Sequence, residues 1–400
     1  MTPPLALGAQ AAEDSPVVAY LEKVLAEAVQ LRASDLHFEP FETSYRVRLR
    51  IDGELREVAA PDWVLKDKLA SRIKVLSHLD IAEKRLPQDG RMKLAMTPGS
   101  ALDLRVSTLP TLYGEKVVIR ILSSDASGLS IDQLGYEDEE KSRLLKAIGQ
   151  PHGMVLVTGP TGSGKTQSLY ACLNVLNDPA VNIATVEDPC EIRLAGVNQV
   201  NVHDRAGLTF AVALRAFLRQ DPDVLMVGEV RDLETADIAI KAAQTGHLVL
   251  STLHTNDAPS ALSRLRNMGI APYNIVSSVA LITAQRLVRR LCPYCKQAVD
   301  LDPQTLCDAG LPAHFLQQPV RAYRPLGCGQ CHKGFVGRIG IFQVMPISDV
   351  MANLILQEAS TSTIAAQAQR EGVLSLRQSG LRKVVQGITS LAEVLGATSE

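Results

Sequence analysis

The chain has 400 residues, a formal net charge of −2 and few aromatic residues. This length predicts two or three domains with a full core, and the near-neutral charge does not favour a general polyanion binder. No apolar run is long enough to span a bilayer, and the N-terminus lacks the basic start and apolar core of a signal peptide, so a cytoplasmic protein is expected.

The first 125 residues predict a compact α+β domain, 17–125, behind a loose leader, 1–16. Apolar residues at helical spacing predict an amphipathic helix over 17–33. Between Tyr45 and Ile51 apolar residues alternate with arginines, and the turn pair Asp52-Gly53 leads into a return strand, which indicates a β-hairpin. A helix over 65–79 and strands over 92–96, 102–106 and 116–122 complete the domain. A Ser/Asp/Gly-rich stretch, 123–130, is a plausible hinge, and the linker is placed at 126–134.

The most informative segment is a glycine-rich loop that follows the apolar run Val155-Leu156-Val157. Its spacing is that of a phosphate-binding loop, in which the glycines let backbone N–H groups and a helix N-terminus face a polyphosphate. Lys165 would reach the β- and γ-phosphates, and the Thr166 hydroxyl would ligate Mg²⁺. The alternative is a turn that binds nothing, but the strand before and the helix pattern after the loop favour ATP or GTP. The candidate nucleotide-binding residues are Gly159, Pro160, Thr161, Gly162, Ser163, Gly164, Lys165, Thr166 and Gln167.

From residue 135 to residue 400 helices and strands alternate, as in a parallel-stranded α/β NTPase core. Strands are predicted at 154–157, 182–186, 224–227 and 248–252. Residues 272–291 are expected to be mainly helical, a cysteine-bearing insertion occupies about 292–331, and a helical tail follows from 348.

Two acidic residues end predicted buried strands, where ligands bind in open α/β sheets. Glu229 follows the strand over 224–227, and the phosphate-binding loop upstream favours a functional acid over a plain turn. Glu187 ends the strand over 182–186 and is a candidate to orient the attacking water of phosphoryl transfer. A strand-Glu-Asp-Pro turn is the alternative reading for Glu187.

Two histidines, His247 and His254, bracket the strand over 248–252, which suits sensing of a γ-phosphate better than two unrelated core histidines. Arg215 and Arg219 lie four residues apart and share one face of a predicted helix. From the sequence alone, a solvated helix surface is the favoured reading of these two arginines.

Four of the seven cysteines form two Cys-x-x-Cys pairs, Cys292/Cys295 and Cys328/Cys331. Two such turns present four thiolates to one ion, so a structural Zn²⁺ site is predicted in preference to a redox pair. Basic residues flank both pairs, which leaves a zinc-ribbon nucleic-acid motor as an alternative function. The lack of a nearby set of aromatic residues for base stacking and the acidic overall charge make nucleic acid an unlikely partner.

Taken together, the motifs resemble those of the secretion ATPase superfamily, specifically the assembly ATPases of type II secretion systems and type IV pili. The resemblance runs from about Val17 to the C-terminus. The segments that carry it are Ser34-Asp-Leu-His-Phe-Glu-Pro, Pro87-Gln-Asp-Gly-Arg91, Arg105-Val-Ser-Thr-Leu-Pro, Gly159 to Thr166, Thr185-Val-Glu-Asp-Pro, Leu218-Arg-Gln-Asp-Pro-Asp, Val227-Gly-Glu-Val-Arg-Asp and Thr245-Gly-His-Leu-Val-Leu-Ser-Thr-Leu-His-Thr-Asn.

The resemblance implies a PAS-like N-terminal domain followed by a RecA-like motor domain with a tetra-cysteine zinc insertion. It implies a homohexamer that binds ATP and Mg²⁺ between subunits. Glu229 matches the Walker B acid, which acts on Mg²⁺ through water, and Glu187 matches the catalytic acid. His247 and His254 match the His box. Four arginines match residues that approach the γ-phosphate, namely Arg91 and Arg105 from the first domain and Arg215 and Arg219 from the second.

The family further implies a role in pseudopilus or pilus assembly, with peripheral attachment to the inner membrane through secretion or pilus platform proteins. The four cysteines are typical of assembly ATPases, whereas pilus retraction ATPases lack them. Gln167-Ser168 and Cys190 depart from the family pattern without removing a required ligand. The extra N-terminal domain through which many members dock on a platform protein is expected to be absent, which puts that docking contact in doubt.

Overall fold

The computed structural model describes residues 16–97, 100–122, 129–316 and 321–399. Its contacts divide the chain into two compact units, Met1–Ala126 and Ser127–Glu400. The predicted leader, except for Pro16, lies outside the described residues, and so do residues 123–128 of the predicted hinge.

The first unit is an antiparallel sheet of six strands with two helices. In chain order its elements are α1 (Pro16–Gln30), β1 (Asp35–Pro40), β2 (Tyr45–Ile51), β3 (Glu54–Ala59), α2 (Lys66–Leu76), β4 (Gln88–Thr97), β5 (Ser100–Thr111) and β6 (Gly114–Leu122). The strand order is β3-β2-β1-β6-β5-β4. The predicted hairpin is confirmed, because Ile51 pairs with Glu54 across the Asp52-Gly53 turn.

The two faces of this sheet differ in chemistry because side chains alternate along each strand. One face is apolar and shares a core with α1 and α2, in which Leu21, Leu49 and Ile73 are fully buried. The other face carries charged side chains, among them the three arginines of β2. Strand β1 was not predicted, although its sequence is one of the family segments.

The second unit begins with alternating helices and strands. They are α3 (Ile131–Leu134), α4 (Asp138–Ile148), β7 (Gly153–Thr158), α5 (Lys165–Leu176), β8 (Ile183–Glu187), β9 (Asn198–Asn201), α6 (Phe210–Phe217), β10 (Val224–Val227), α7 (Leu233–Gln244), β11 (Leu248–Leu253), α8 (Ala258–Asn267), α9 (Pro272–Ser278) and β12 (Val279–Leu291). The chain continues through β13 (Gln297–Asp300), α10 (Pro303–Asp308), β14 (Arg321–Arg324), β15 (Phe335–Pro346), α11 (Asp349–Leu356), α12 (Thr361–Arg370), α13 (Leu376–Val385) and α14 (Leu391–Ala397).

Seven of these strands form one sheet in the order β15-β12-β7-β11-β10-β8-β9. Neighbours from β12 to β9 pair in parallel, and β15 pairs antiparallel with β12. Every residue of β7 and β11 is buried, as expected for strands covered on both faces. The predicted α/β fold with a parallel sheet is confirmed, and the carboxyl ends of β7, β8, β10 and β11 meet at one edge.

The expectation that residues 272–291 are mainly helical is wrong. Only α9 is helical there, and β12 is a 13-residue strand between β7 and β15. Residues Leu281 to Gln285 of β12 are all buried, because the strand lies inside a sheet that is covered on both sides. Such a continuous buried run lacks the alternation of a half-exposed strand and is easily read as a helix.

Two predicted boundary segments have structure of their own. Residues 131–134 of the proposed linker form α3, which packs against α5. Within the cysteine insertion, β13 and β14 pair, and Leu306 and Leu311 form a small core with Leu381 and Val384 of the tail. We refer to residues 292–331 as the cysteine module.

Candidate functional site

The phosphate-binding loop connects β7 to α5 at the carboxyl edge of the sheet. Gly162 and Gly164 have φ values of +80° and +88°, a region that other L-residues rarely adopt. Helix α5 begins at Lys165, so its N-terminus faces the interior of the loop. The Lys165 ammonium is largely buried and donates to the carbonyls of Gly159 (2.8 Å) and Pro160 (3.1 Å). The geometry is that of an anion-binding cradle.

Gln285 of β12 holds this loop in place, a role the sequence reasoning missed. Its side chain is 2% exposed. The amide Nε2 donates to the Ser163 carbonyl at 2.7 Å, and Oε1 accepts from the Ser168 hydroxyl at 2.7 Å. A single amide in an otherwise apolar run was the available signal, since a buried amide requires partners.

Glu229 follows β10 and lies beside the loop lysine. Its carboxylate accepts a hydrogen bond from Arg231, and His254 Nε2 lies 3.4 Å from Oε2. Burial raises the pKa of Glu229, but the hydrogen bonds and charges of Arg231 and His254 outweigh it and lower the pKa below its usual value. Burial lowers the pKa of Lys165 while Glu229 opposes that shift. Glu229 is therefore ionised at neutral pH and electrostatically coupled to Lys165.

We refer to the phosphate-binding loop, Glu187 and Glu229 as the phosphate-binding corner. A magnesium ion would find hard oxygen ligands there. Thr166 lies in the first turn of α5 with its side chain exposed, and Glu229 provides an ionised carboxylate next to Lys165. Hydroxyl and carboxylate oxygens are the ligand types that Mg²⁺ prefers. The residues fit the ion that the sequence predicts.

Glu187, at the end of β8, is 4% exposed and held by three donors. Oε1 accepts from the Thr185 hydroxyl at 2.7 Å and from Gln199 Nε2 at 3.2 Å. Oε2 accepts from the Tyr170 hydroxyl. None of these three donors was predicted. The contacts of Tyr170 and Gln199 join different elements, and the contact of Thr185 depends on the side-chain conformations within β8. A buried, fully oriented carboxylate is thus present where the sequence places the catalytic acid.

The two histidines of the predicted His box lie at opposite edges of the sheet. His254 follows β11 and contacts Glu229, and burial and the Lys165 charge lower its pKa. His247 precedes β11, where its carbonyl accepts from Gly153 and its Nδ1 lies 3.0 Å from the Ala242 carbonyl. The structure brings His254 to the site and leaves His247 at the opposite end of β11.

Arg215 and Arg219 lie on and just after α6. Arg215 pairs with Glu234 at 2.7 Å, and Arg219 donates to the Arg215 carbonyl at 2.7 Å. Among the described residues, neither forms a hydrogen bond or ion pair with the phosphate-binding loop, Glu187 or Glu229. Both residues are exposed.

Arg91 and Arg105 belong to the first unit and are directly opposite each other on β4 and β5. Arg120 is opposite Arg105 on β6 and is neutralised by Asp35 at 2.9 Å. Within the described ranges, no side-chain hydrogen bond or ion pair reaches Arg91 or Arg105. Like charges directly across a sheet repel each other, so this pair favours binding of an anion.

The four cysteines of the module converge. Their sulfur atoms all lie within 4.8 Å of one another, and individual pairs are 3.6–3.9 Å apart. Four thiolates at about 2.3 Å from a tetrahedral Zn²⁺ would be about 3.8 Å apart. The backbone N–H groups of Gly327 and Cys328 donate to the sulfur atoms of Cys295 and Cys331. Such hydrogen bonds orient the thiolates of a metal site. The donor set fits a structural zinc ion.

Comparison with known proteins assigns the chain to a family. The family described as "Type II/IV secretion system protein" matches residues 10–396. The chain belongs to this family. This confirms the resemblance inferred from the motifs.

Several relatives match almost the whole chain. The type IV pilus assembly ATPase PilB of Acinetobacter baylyi is 55% identical over 97% of the chain and 67% of its own length. PilB of Pseudomonas aeruginosa is 53% identical over 97% of the chain and 69% of its own length. The type II secretion system ATPase E of Vibrio cholerae is 48% identical over 97% of the chain and 76% of its own length.

A solved structure also shares the fold. The pilus retraction motor PilT, crystallised with ADP, matches with a TM-score of 0.64 and 24% identity, over 97% of the chain and 98% of PilT. Among the residues that the structure describes, no helix is long and apolar enough to cross a membrane.

Proposed function

We propose that the protein is an ATPase that drives assembly of a type IV pilus or of the pseudopilus of a type II secretion system. One observation carries the proposal. The phosphate-binding loop, Glu229 and the oriented carboxylate of Glu187 lie at the same edge of one parallel sheet. The whole-chain similarity to pilus assembly and type II secretion ATPases supports this reading over a nucleic-acid motor.

Each residue of this corner has a distinct role. Backbone N–H groups of the loop and the Lys165 ammonium bind the phosphates of ATP. Thr166 and, through water, Glu229 would hold Mg²⁺, which would supply positive charge to neutralise the phosphates. Glu187 accepts a hydrogen bond from the attacking water and orients it toward the γ-phosphorus. His254 contacts Glu229 from the next strand and would respond to the state of the γ-phosphate.

The fold supports a finer assignment of both units. We infer that the first unit is the PAS-like domain of the family and the second its RecA-like motor. We also infer that the motor's cysteine module binds one Zn²⁺ through Cys292, Cys295, Cys328 and Cys331. The presence of this module favours pilus extension or secretion over retraction.

The scattered arginines support an active site shared between subunits. Arg215, Arg219 and His247 lie away from the phosphate-binding loop of their own chain, and Arg91 and Arg105 lie in the other unit. In a homohexamer these residues would act on nucleotide at a subunit boundary. An arginine supplied to the transition state is worth roughly 10³–10⁵ in rate, so assembly would control hydrolysis.

The proposed location is the cytoplasmic side of the inner membrane, where the hexamer would associate with secretion or pilus platform proteins. Through this contact the domain motion that accompanies hydrolysis would be passed to a pilin or pseudopilin. Pull-down of the bound platform protein from native membranes identifies which of the two systems is served.

The ATPase assignment is tested with two variants, Glu187→Gln and Glu229→Gln. Both keep the size of the side chain and remove its charge, so each is expected to bind ATP and to lose turnover. Asp237→Asn, an exposed change on α7, is the matched control and is expected to hydrolyse ATP normally. Near-normal turnover by Glu187→Gln would remove its assignment as the water-orienting residue.

The shared-site assignment is tested with Arg91→Ala. Turnover is expected to fall more than ATP affinity, because the lost interaction is made mainly in the transition state. Lys93→Ala is the control, since Lys93 is an exposed cation two residues along the same strand. Specific activity is also expected to rise with protein concentration. A monomer, verified by light scattering, that is as active per chain as the oligomer would contradict the proposal.

A further inference from the structure

Tyr170 connects the helix of the phosphate-binding loop to the carboxylate of Glu187. It lies on α5, five residues after Lys165, and it is completely buried. Its hydroxyl donates to Glu187 Oε2. Burial and the negative charge of Glu187 raise the pKa of Tyr170 well above its ordinary value, so the phenol remains protonated and available as a donor.

The hydrogen bonds of Glu187 leave one acceptor position open. An ionised carboxylate offers about four lone-pair sites, two on each oxygen. Both sites of Oε1 are taken, by the Thr185 hydroxyl at 2.7 Å and by Gln199 Nε2 at 3.2 Å. Among the described residues, Oε2 receives only the Tyr170 hydroxyl. The remaining site therefore lies on Oε2, next to the Tyr170 hydroxyl.

We propose that Tyr170 is a positioning residue for hydrolysis, which fixes Glu187 Oε2 so that its open site accepts the hydrogen bond of the attacking water. The inference rests on the proposed role of Glu187. Thr185 precedes Glu187 by two residues on β8, and Gln199 lies on the neighbouring strand β9. Tyr170 is the donor that belongs to the helix beginning at Lys165, so it ties the orientation of the carboxylate to the position of the bound phosphates.

Tyr170 differs from the other two donors in the oxygen of Glu187 that it contacts, and this distinguishes it from a tyrosine with a purely structural role. Thr185 and Gln199 both donate to Oε1. Without a further donor, rotation of the carboxylate about the Cγ–Cδ bond of Glu187 would be restrained at that oxygen alone. The Tyr170 hydroxyl restrains the opposite oxygen. Hydrogen bonds to charged groups contribute about 1.5–3 kcal/mol, or roughly a tenfold to hundredfold effect on an equilibrium or a rate.

The test is Tyr170→Phe, which removes the hydroxyl and keeps the ring. The turnover number is expected to fall about tenfold or more, while ATP affinity, measured by equilibrium binding, changes less than about twofold. Tyr45→Phe is the control, since Tyr45 has a buried hydroxyl without a partner in the first unit.

Glu187→Gln is measured in parallel, so that two failures can be told apart. If Glu187→Gln is inactive and Tyr170→Phe keeps the wild-type turnover, Tyr170 is not a positioning residue and the proposed function stands. If Glu187→Gln hydrolyses ATP normally, the assignment of Glu187 itself fails. An equal loss of ATP affinity and turnover in Tyr170→Phe would show a structural role and overturn the inference.

A second measurement does not depend on the stability of Tyr170→Phe. Replacing Tyr170 with 3-fluorotyrosine keeps the hydroxyl and makes it a stronger donor. The turnover number is then expected to stay within about twofold of the wild type, because the hydrogen bond to Glu187 Oε2 is kept. A loss of turnover as large as that of Tyr170→Phe in this folded protein would overturn the proposal.

Discussion

The phosphate-binding corner and the cysteine module are connected by one strand, β12, and differ in how their side chains are held. Gln285 in the middle of β12 holds the loop, and Cys292 directly follows the end of the strand. In the corner, Gln285 and Tyr170 are buried side chains of the protein that orient functional groups. In the module, Cys292 is buried and the other three cysteines of the cluster are not. The first region takes its order from packing, and the proposed zinc ion would order the second.

The largest expected effect is in the corner, at Lys165. Lys165→Ala removes the buried cation that faces the phosphates, and loss of one partner of such a pair costs about 2–5 kcal/mol. ATP binding, measured by isothermal titration calorimetry, is expected to fall by roughly a hundredfold or more. Zinc content should be unchanged, and a variant that lost its zinc as well would show that the two regions are not independent.

The corresponding change in the module is Cys292→Ser. With three thiolates left, the ion is bound weakly, and zinc measured by elemental analysis is expected to fall well below the roughly one ion per chain of the wild type. The melting temperature of the second unit should fall by about 5 °C or more. Cys307→Ser is the matched control, because Cys307 lies in the same module outside the cluster. Freshly reduced wild-type protein without zinc would defeat this assignment.

The sequence predicts the central motif of each region. Residue order alone indicates the phosphate-binding loop and the cysteine pairs, because each depends on short local spacing. The hairpin of β2 and β3 and the parallel sheet follow from alternation and from the sequence of elements. The same rules failed for β12, since a strand buried on both faces has no alternation to detect.

The supporting side chains could not be predicted, because their contacts join distant parts of the chain. Gln285 and Ser163 are 122 positions apart, and Tyr170 and Glu187 are 17 apart on different elements. Only the fold shows which amide or hydroxyl faces which carbonyl or carboxylate. For the same reason Arg91 and Arg105, distant in the sequence, prove to be directly opposite each other.

A smaller effect, on the pH dependence of stability, is expected at Glu140 on α4 of the second unit. This carboxyl is 6% exposed and accepts from the Glu137 N–H at 3.0 Å, and Lys383 of α13 lies nearby. Burial raises its pKa to about 7, although the Glu137 hydrogen bond and the Lys383 charge oppose the shift. The folded protein therefore holds a proton that the unfolded chain releases near pH 4.5. The contribution of this protonated carboxyl to the free energy of unfolding is complete below pH 4.5. It is lost as the pH rises through 7.

Glu140→Gln is expected to remove this pH dependence and to be more stable than the wild type at pH 8 by about 3 kcal/mol. The midpoint of urea unfolding, followed by circular dichroism at pH 5, 6.5 and 8, measures the effect. Glu139→Gln, exposed on the same helix, is the control and should follow the wild type. ATP affinity should not change in either variant. Wild-type stability that rose between pH 5 and pH 8 relative to Glu140→Gln would contradict the assignment.

Gln285→Ala tests the strand that joins the two regions. It leaves the Ser163 carbonyl and the Ser168 hydroxyl without their partner, so the loop loses a buried restraint and ATP affinity is expected to fall about tenfold, or about 1.4 kcal/mol. Zinc content should stay at the wild-type level, because the four cysteines are untouched. Gln343→Ala is the matched control, since Gln343 is another buried amide, on β15, that bonds the Ala258 N–H and not the loop.

The decisive comparison is then between Gln285→Ala and Cys292→Ser. If packing alone orders the corner, Gln285→Ala weakens ATP binding and keeps its zinc, while Cys292→Ser loses zinc and binds ATP normally. If Cys292→Ser weakens ATP binding as much as Gln285→Ala does, the end of β12 transmits disorder to its middle. The zinc ion would then belong to the support of the phosphate-binding loop, seven residues away along one strand.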